Sequence, residues 1–141
     1  MFNSEGEVIA INSMQPSSAD LRNFNYSIPI NYFIKVADYL VTNRTSYQKT
    51  TLKIQGKSLC DYSSKELSTM GVTVKNGVHV VSSLDPLVAI GRIITHVNGE
   101  QVETLFDYEF ELLKYNKGET ITLTTTDIVG ANVKNINVKM A

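Results

Sequence analysis

Tryptophan is absent from this sequence, cysteine occurs once, at Cys60, and proline only three times. A lone cysteine excludes an intrachain disulfide framework and any multi-cysteine metal site. It leaves the redox compartment open. Without tryptophan, aromatic packing falls to five Phe and seven Tyr. No apolar run approaches the roughly 18 residues that a bilayer-spanning helix needs. Charge of one sign is also missing, since thirteen basic residues against fourteen acidic ones leave a net charge of −1. That balance provides no basic field for a phosphate backbone and argues against a nucleic-acid partner. The first residues, from Met1 to Glu7, lack a basic run, and the apolar stretch that follows extends only from Val8 to Ile11. They do not read as a targeting segment.

What is present is 141 residues with 43% apolar content, too apolar for a disordered chain. This length suits one globular domain, or one small domain with an appendage. Ser4-Glu5-Gly6 is turn chemistry ahead of a compact apolar strand over 7–12, which reads as an opening hairpin. The Ser-, Asn- and Asp-rich stretch 13–25, with Pro16, reads as an exposed loop. Ile28 precedes Pro29 and is biased toward extended structure. Asn31 is then the expected N-cap of a helix to about Thr42, with Phe33, Val36, Leu40 and Val41 on its apolar face. Residues 43–50 are almost wholly polar and mark the expected linker.

Beyond that break, residues 51–54 read as a short strand with a turn at Gly56. Ser63 and Glu66 have the spacing of a capping box, and Gly71 is placed to end the short helix it opens. Strands are expected over 78–84 and 93–97, the second running into the hairpin signal Asn98-Gly99. Thr104, with Asp107 three residues on, is the expected cap of a longer helix that carries Leu105, Tyr108, Leu112 and Tyr115 and is closed by Gly118. Two alternating strands, 120–126 and 133–140, finish the chain. The expected class is α+β and β-rich: a partly open antiparallel barrel with two helices, preceded by a hairpin and helix.

The second half resembles a bacterial PDZ domain. The residues that carry this are Leu52-Lys53-Ile54-Gln55-Gly56, Gly77-Val78-His79-Val80-Val81 and Gly91-Arg92-Ile93-Ile94-Thr95-His96-Val97-Asn98-Gly99, the last close to the family's GD-I-I-x-x-I-N-G segment. Gly118-Glu119-Thr120-Ile121-Thr122-Leu123 completes the set. The first half is similar to the end of the trypsin-like domain in HtrA/DegP-family serine proteases. Phe2 to Asn12 resembles the strand pair after the nucleophile loop, and Tyr26-Ser27-Ile28-Pro29-Ile30-Asn31 resembles the FAIP-x-N segment before the last helix. The implied domains are 1–46, a remnant of the protease domain with linker, and 47–141, a PDZ-like domain.

The resemblance implies peptide recognition by β-augmentation, in which an extended or C-terminal peptide adds a strand to an open sheet edge beside a helix. The candidate peptide-binding residues are Leu52, Lys53, Ile54 and Gln55 on the edge and Leu105, Tyr108 and Leu112 on the helix. Lys53 stands where the family's carboxylate loop has glycine, and Arg92 where it has an acidic residue. Read from periodicity alone, Leu105, Tyr108 and Leu112 fit a core equally well. In the family the nucleophilic serine sits in a G-N-S-G-G loop and the triad His and Asp come earlier; this sequence contains none of these, and His79 and His96 both fall in the PDZ-like half. The expectation is a chain that is not catalytic by itself, needs no cofactor, and belongs to an extracytoplasmic protein-quality-control setting. The alternative is one piece of an active endopeptidase whose triad lies upstream. Self-association through Phe33, Val36, Leu40 and Val41 is a further expectation, because in the parent fold that face lies against the protease barrel.

Overall fold

A computed structural model describes residues 1–14, 26–44 and 51–141. The expected loop 13–25 and linker 43–50 fall largely outside these residues. The chain divides into two compact units, Met1–Gln48 and Lys49–Ala141.

The first unit pairs β1 (Ala10–Met14) with β2 (Tyr26–Pro29) in antiparallel register and continues directly into helix α1 (Ile30–Asn43). The opening turn is held by the Asn3 side chain, whose Oδ1 accepts from the amides of Glu5 and Glu7. It is closed by a single Phe2–Val8 bridge. The paired strand therefore starts later than the hairpin expected over 7–12. Asn31 is not the N-cap. Pro29 holds that position without any side-chain cap bond, and the Ile30 amide donates instead to the Ile9 carbonyl at 2.9 Å. The carbonyl of the residue just before β1 satisfies the orphan N–H of the first helical residue. No described side chain of this unit is fully buried. Phe2, Phe33, Leu40 and Val41 are 70%, 49%, 42% and 77% exposed, more apolar surface than a two-stranded sheet and one helix cover.

The second unit is an antiparallel sheet in the order β3-β4-β5-β7-β8, formed by β3 (Ile54–Ser58), β4 (Val78–Ser83), β5 (Ile93–Val97), β7 (Thr120–Thr126) and β8 (Lys134–Lys139). A short β6 (Glu100–Gln101) folds back on β5 through Asn98 and Gly99, both at positive φ. The sheet does not close into a barrel. Helix α2 (Ser64–Met70) has the full capping box of Ser63 and Glu66 and ends at Gly71 with φ +70. Helix α3 (Leu105–Leu112) has a second capping box, Thr104 with Asp107. It stops three residues short of Tyr115, because the amides of Lys114 and Tyr115 turn back to the carbonyls of Glu111 and Leu112 in tighter i→i−3 bonds. Val78, Val80, Ile94, Val97, Ile121 and Leu123 on the strands form the core with Tyr108 and Leu112 of α3.

Gly56 is not a turn. It lies inside β3, where a bulge between Gln55 and Gly56 shifts the register against β4. A Cβ at this position would sit 2.3 Å from Val78 Cγ1 and 3.6 Å from Leu105 Cδ1. Glycine here serves close packing under the helix.

Candidate functional site: an open sheet edge beside a helix

Strand β3 is an edge strand: among the described residues it pairs only with β4. No described strand pairs with its other edge, and an open edge of this kind is the template that strand addition uses. Helix α3 is fastened to the end of this strand, since the Leu105 amide donates to Ser58 Oγ at 2.9 Å and Leu105 Cδ1 reaches the space above Gly56. Ser58 itself is 5% exposed, so this bond is shielded from water. The strand edge and the helix are thereby held together at the Ser58 end.

At that end lies a pocket of about 490 Å³ lined by Ser58, Cys60, Asp61, Thr104, Leu105, Phe106 and Glu109. Leu59–Asp61 form one 3-10 turn with Leu59 wholly buried, which presents Cys60 and Asp61 outward. Phe106 is 51% exposed and stacks on Phe110, one helical turn later. Cys60 stood out in the sequence only as its single cysteine, and Asp61, Phe106 and Glu109 did not stand out. Their only common signal is a position next to a cap: Cys60 and Asp61 shortly before Ser63, Phe106 and Glu109 shortly after Thr104.

The structure divides the residues expected to bind peptide. Leu105 and Ile54 are half-buried against the core, and Gln55 is exposed on β3. Leu52, Tyr108 and Leu112 are core members, 6%, 3% and 5% exposed. Lys53 is exposed and lines a separate pocket of about 320 Å³ with Leu84, Asp85, Pro86, Lys139, Met140 and Ala141, to which no α3 residue contributes. Its carbonyl accepts from the Leu84 amide at 2.8 Å. Arg92, where an acidic residue is usual, donates to Thr125 Oγ1, to the Thr125 carbonyl at 2.8 Å and to the Asn132 carbonyl at 2.6 Å.

The Tyr108 hydroxyl is buried without a hydrogen-bond partner among the described residues. Burial, and then the neighbouring Glu109 charge, push its pKa well above the ordinary tyrosine value. His79 and His96 are half-buried and hydrogen-bonded. His79 Nδ1 pairs with the Tyr62 hydroxyl at 2.8 Å and His96 Nδ1 with Thr95 Oγ1 at 3.0 Å. Cys60 is exposed, with its Sγ 4.0 Å from Asp61 Oδ1. No group of three His, Cys, Asp or Glu among the described residues is placed to hold a metal ion, and no described helix is long and apolar enough to cross a membrane.

No protein-family model matches this sequence, and no curated protein matches it. Solved structures do. The HtrA-type protease AlgW with a decapeptide aligns at TM-score 0.66 and 13% identity, over 96% of this chain and 42% of that one. AlgW with a tripeptide aligns at TM-score 0.67 and 13% identity, over 99% of this chain and 47% of that one. The chain thus spans less than half the length of these proteases. Over nearly its whole described length it has the α+β fold of the corresponding part of an HtrA-type serine protease.

Proposed function

We propose that residues 47–141 are a PDZ-type peptide-recognition domain and residues 1–46 the closing segment of a trypsin-like protease domain. On this reading the chain binds extended or C-terminal peptide segments and unfolded protein, is not catalytic by itself, and works in the cell envelope in protein quality control. The observation that carries the reading is the open edge of β3 beside α3, with the first helical turn fastened to Ser58. An incoming strand there gains main-chain hydrogen bonds from β3 and side-chain contacts from the helix. The AlgW structures, solved with bound peptides, support a peptide as the ligand class. The alternative, a piece of an active endopeptidase, is supported by the fold match to less than half of such a protease. Exposed Phe33, Leu40 and Val41, with half-buried Val36, support self-association through α1 in either case.

Titration of labelled peptides with free and amidated C-termini tests the reading. Binding that weakens on Leu105→Ala supports it. Lys53→Gly should leave binding unchanged or tighten it, because glycine restores close backbone approach. No binding by any apolar-ended peptide would overturn the assignment, and casein cleavage abolished by His79→Ala or His96→Ala would overturn catalytic silence.

A further inference from the structure

We propose that the segment joining β4 to β5, Leu84 to Arg92, is an interfacial loop that seats the second unit on an anionic lipid surface. The inference goes beyond the peptide-recognition reading and does not depend on it. Leu84, Leu87 and Ile90 are 79%, 60% and 64% exposed, and Pro86 and Ala89 between them are exposed as well.

The backbone beneath these side chains is fixed. The Asp85 amide donates to Ser83 Oγ at 3.2 Å, the Leu87 amide to Asp85 Oδ1 at 2.9 Å and the Val88 amide to the Asp85 carbonyl at 3.2 Å. Both ends are fastened to the sheet, by the Leu84 amide on the Lys53 carbonyl and the Gly91 amide on the Val80 carbonyl. Val88, 2% exposed, pins the middle of the segment to the core. Amides bonded within the protein leave water at low cost, so the apolar tip can enter a less polar medium without unfolding.

Charge and composition select the medium. Lys53 and Lys139 line the pocket beside Leu84 and Pro86, and neither has an ion pair among the described residues. Asp85 is the acidic side chain that opposes them there, and its Oδ1 already accepts from Leu87. Arg92 is turned inward to Thr125 and Asn132. Protein interfaces concentrate their binding energy in Trp, Tyr and Arg and are poor in Lys. This segment has no aromatic residue, and lysines flank it. Aliphatic side chains at the acyl boundary, with lysines reaching the phosphate headgroups, are the pattern of an interfacial anchor.

Co-sedimentation of the full chain with lipid vesicles tests this. Binding should be about tenfold tighter to equimolar phosphatidylglycerol and phosphatidylcholine than to phosphatidylcholine alone, and high salt should shrink the difference. Lys53→Gln/Lys139→Gln should weaken it by about tenfold or more. Leu84→Ser/Leu87→Ser/Ile90→Ser should abolish it at an unchanged urea midpoint, because the three side chains are exposed. A polarity-sensitive fluorophore on Ala89→Cys, in a Cys60→Ser background, should shift to the blue on the anionic vesicles. An unshifted spectrum, or no binding to these vesicles, overturns the proposal. So does binding that survives the triple serine variant, which would place the contact elsewhere. A lipid-free dimer in analytical ultracentrifugation that the triple variant disperses would assign the face to a second copy and likewise overturn it.

Discussion

The amide of Leu105 donates to the hydroxyl of Ser58 across 47 positions of sequence, joining the first turn of α3 to the last residue of β3. This bond replaces water for an N–H that the helix cannot satisfy internally. Ser58→Ala leaves that N–H at a shielded position. It should cost about 1–2 kcal/mol of unfolding free energy, with Ser58→Thr retaining part of it. Urea melts of the two variants measure this, and equal midpoints for Ala and wild type would refute it.

Tyr108 separates packing from hydrogen bonding. Its ring is 3% exposed and its hydroxyl has no partner among the described residues. Tyr108→Phe should be neutral or stabilising by up to about 1 kcal/mol, since it removes a buried polar group that makes no bond. Tyr108→Ala should cost about 3–5 kcal/mol through the cavity it leaves. Peptide binding that weakens in Tyr108→Phe, at unchanged stability, would show that a ligand supplies the missing partner.

Arg92 joins the loop between β4 and β5 to the β7–β8 turn through Thr125 and Asn132. Arg92→Ala should lose about 1–3 kcal/mol by leaving these acceptors without their charged donor. Arg92→Lys should not recover it, because a single ammonium cannot match the guanidinium fork. Thermal melts of both variants, with hydrogen exchange at the β7–β8 turn, report the loss.

Stability should also fall in acid. The Ser63 side-chain and backbone hydrogen bonds hold Glu66 below the ordinary glutamate range, with Lys57 adding to the effect. At Asp127 desolvation pushes upward, but the bonds from Asn132 and the amides of Ala131 and Val129, with the Arg92 charge, outweigh it and lower the pKa. A carboxylate with a depressed folded-state pKa adds stability that is present above its unfolded value and lost as pH drops through the folded one. Urea midpoints should therefore be level near neutrality and decline below the ordinary carboxylate range. Glu66→Gln should flatten part of that decline, and an unchanged acid slope in this variant would remove Glu66 as a contributor.

Legibility in the sequence followed the range of the interaction. Both capping boxes, the Asn98-Gly99 turn and the Gly71 stop depend on groups within four positions of each other, so their residues announce them. Asn31 had the chemistry of a cap and lost the role because Ile9, 21 positions before Ile30, offered a carbonyl to the Ile30 amide. Gly56 was readable as a glycine with a purpose, but a turn and a close approach leave the same letter. Val78 and Leu105 decide between them.

The sequence by itself determined the order of helices and strands in the second unit, the caps that start its two helices, and the likeness to an HtrA-type protease. Periodicity placed Leu105, Tyr108 and Leu112 on one helix face, and it could not say what that face meets. Tertiary packing decided this: Tyr108 and Leu112 entered the core, Leu105 was left over Gly56, and Lys53 went to a pocket that α3 does not line. It also gathered Asp61, Phe106 and Glu109 around one pocket. Helix and strand periods fix direction relative to an element's own axis, whereas burial depends on which element, distant in sequence, fills the space opposite.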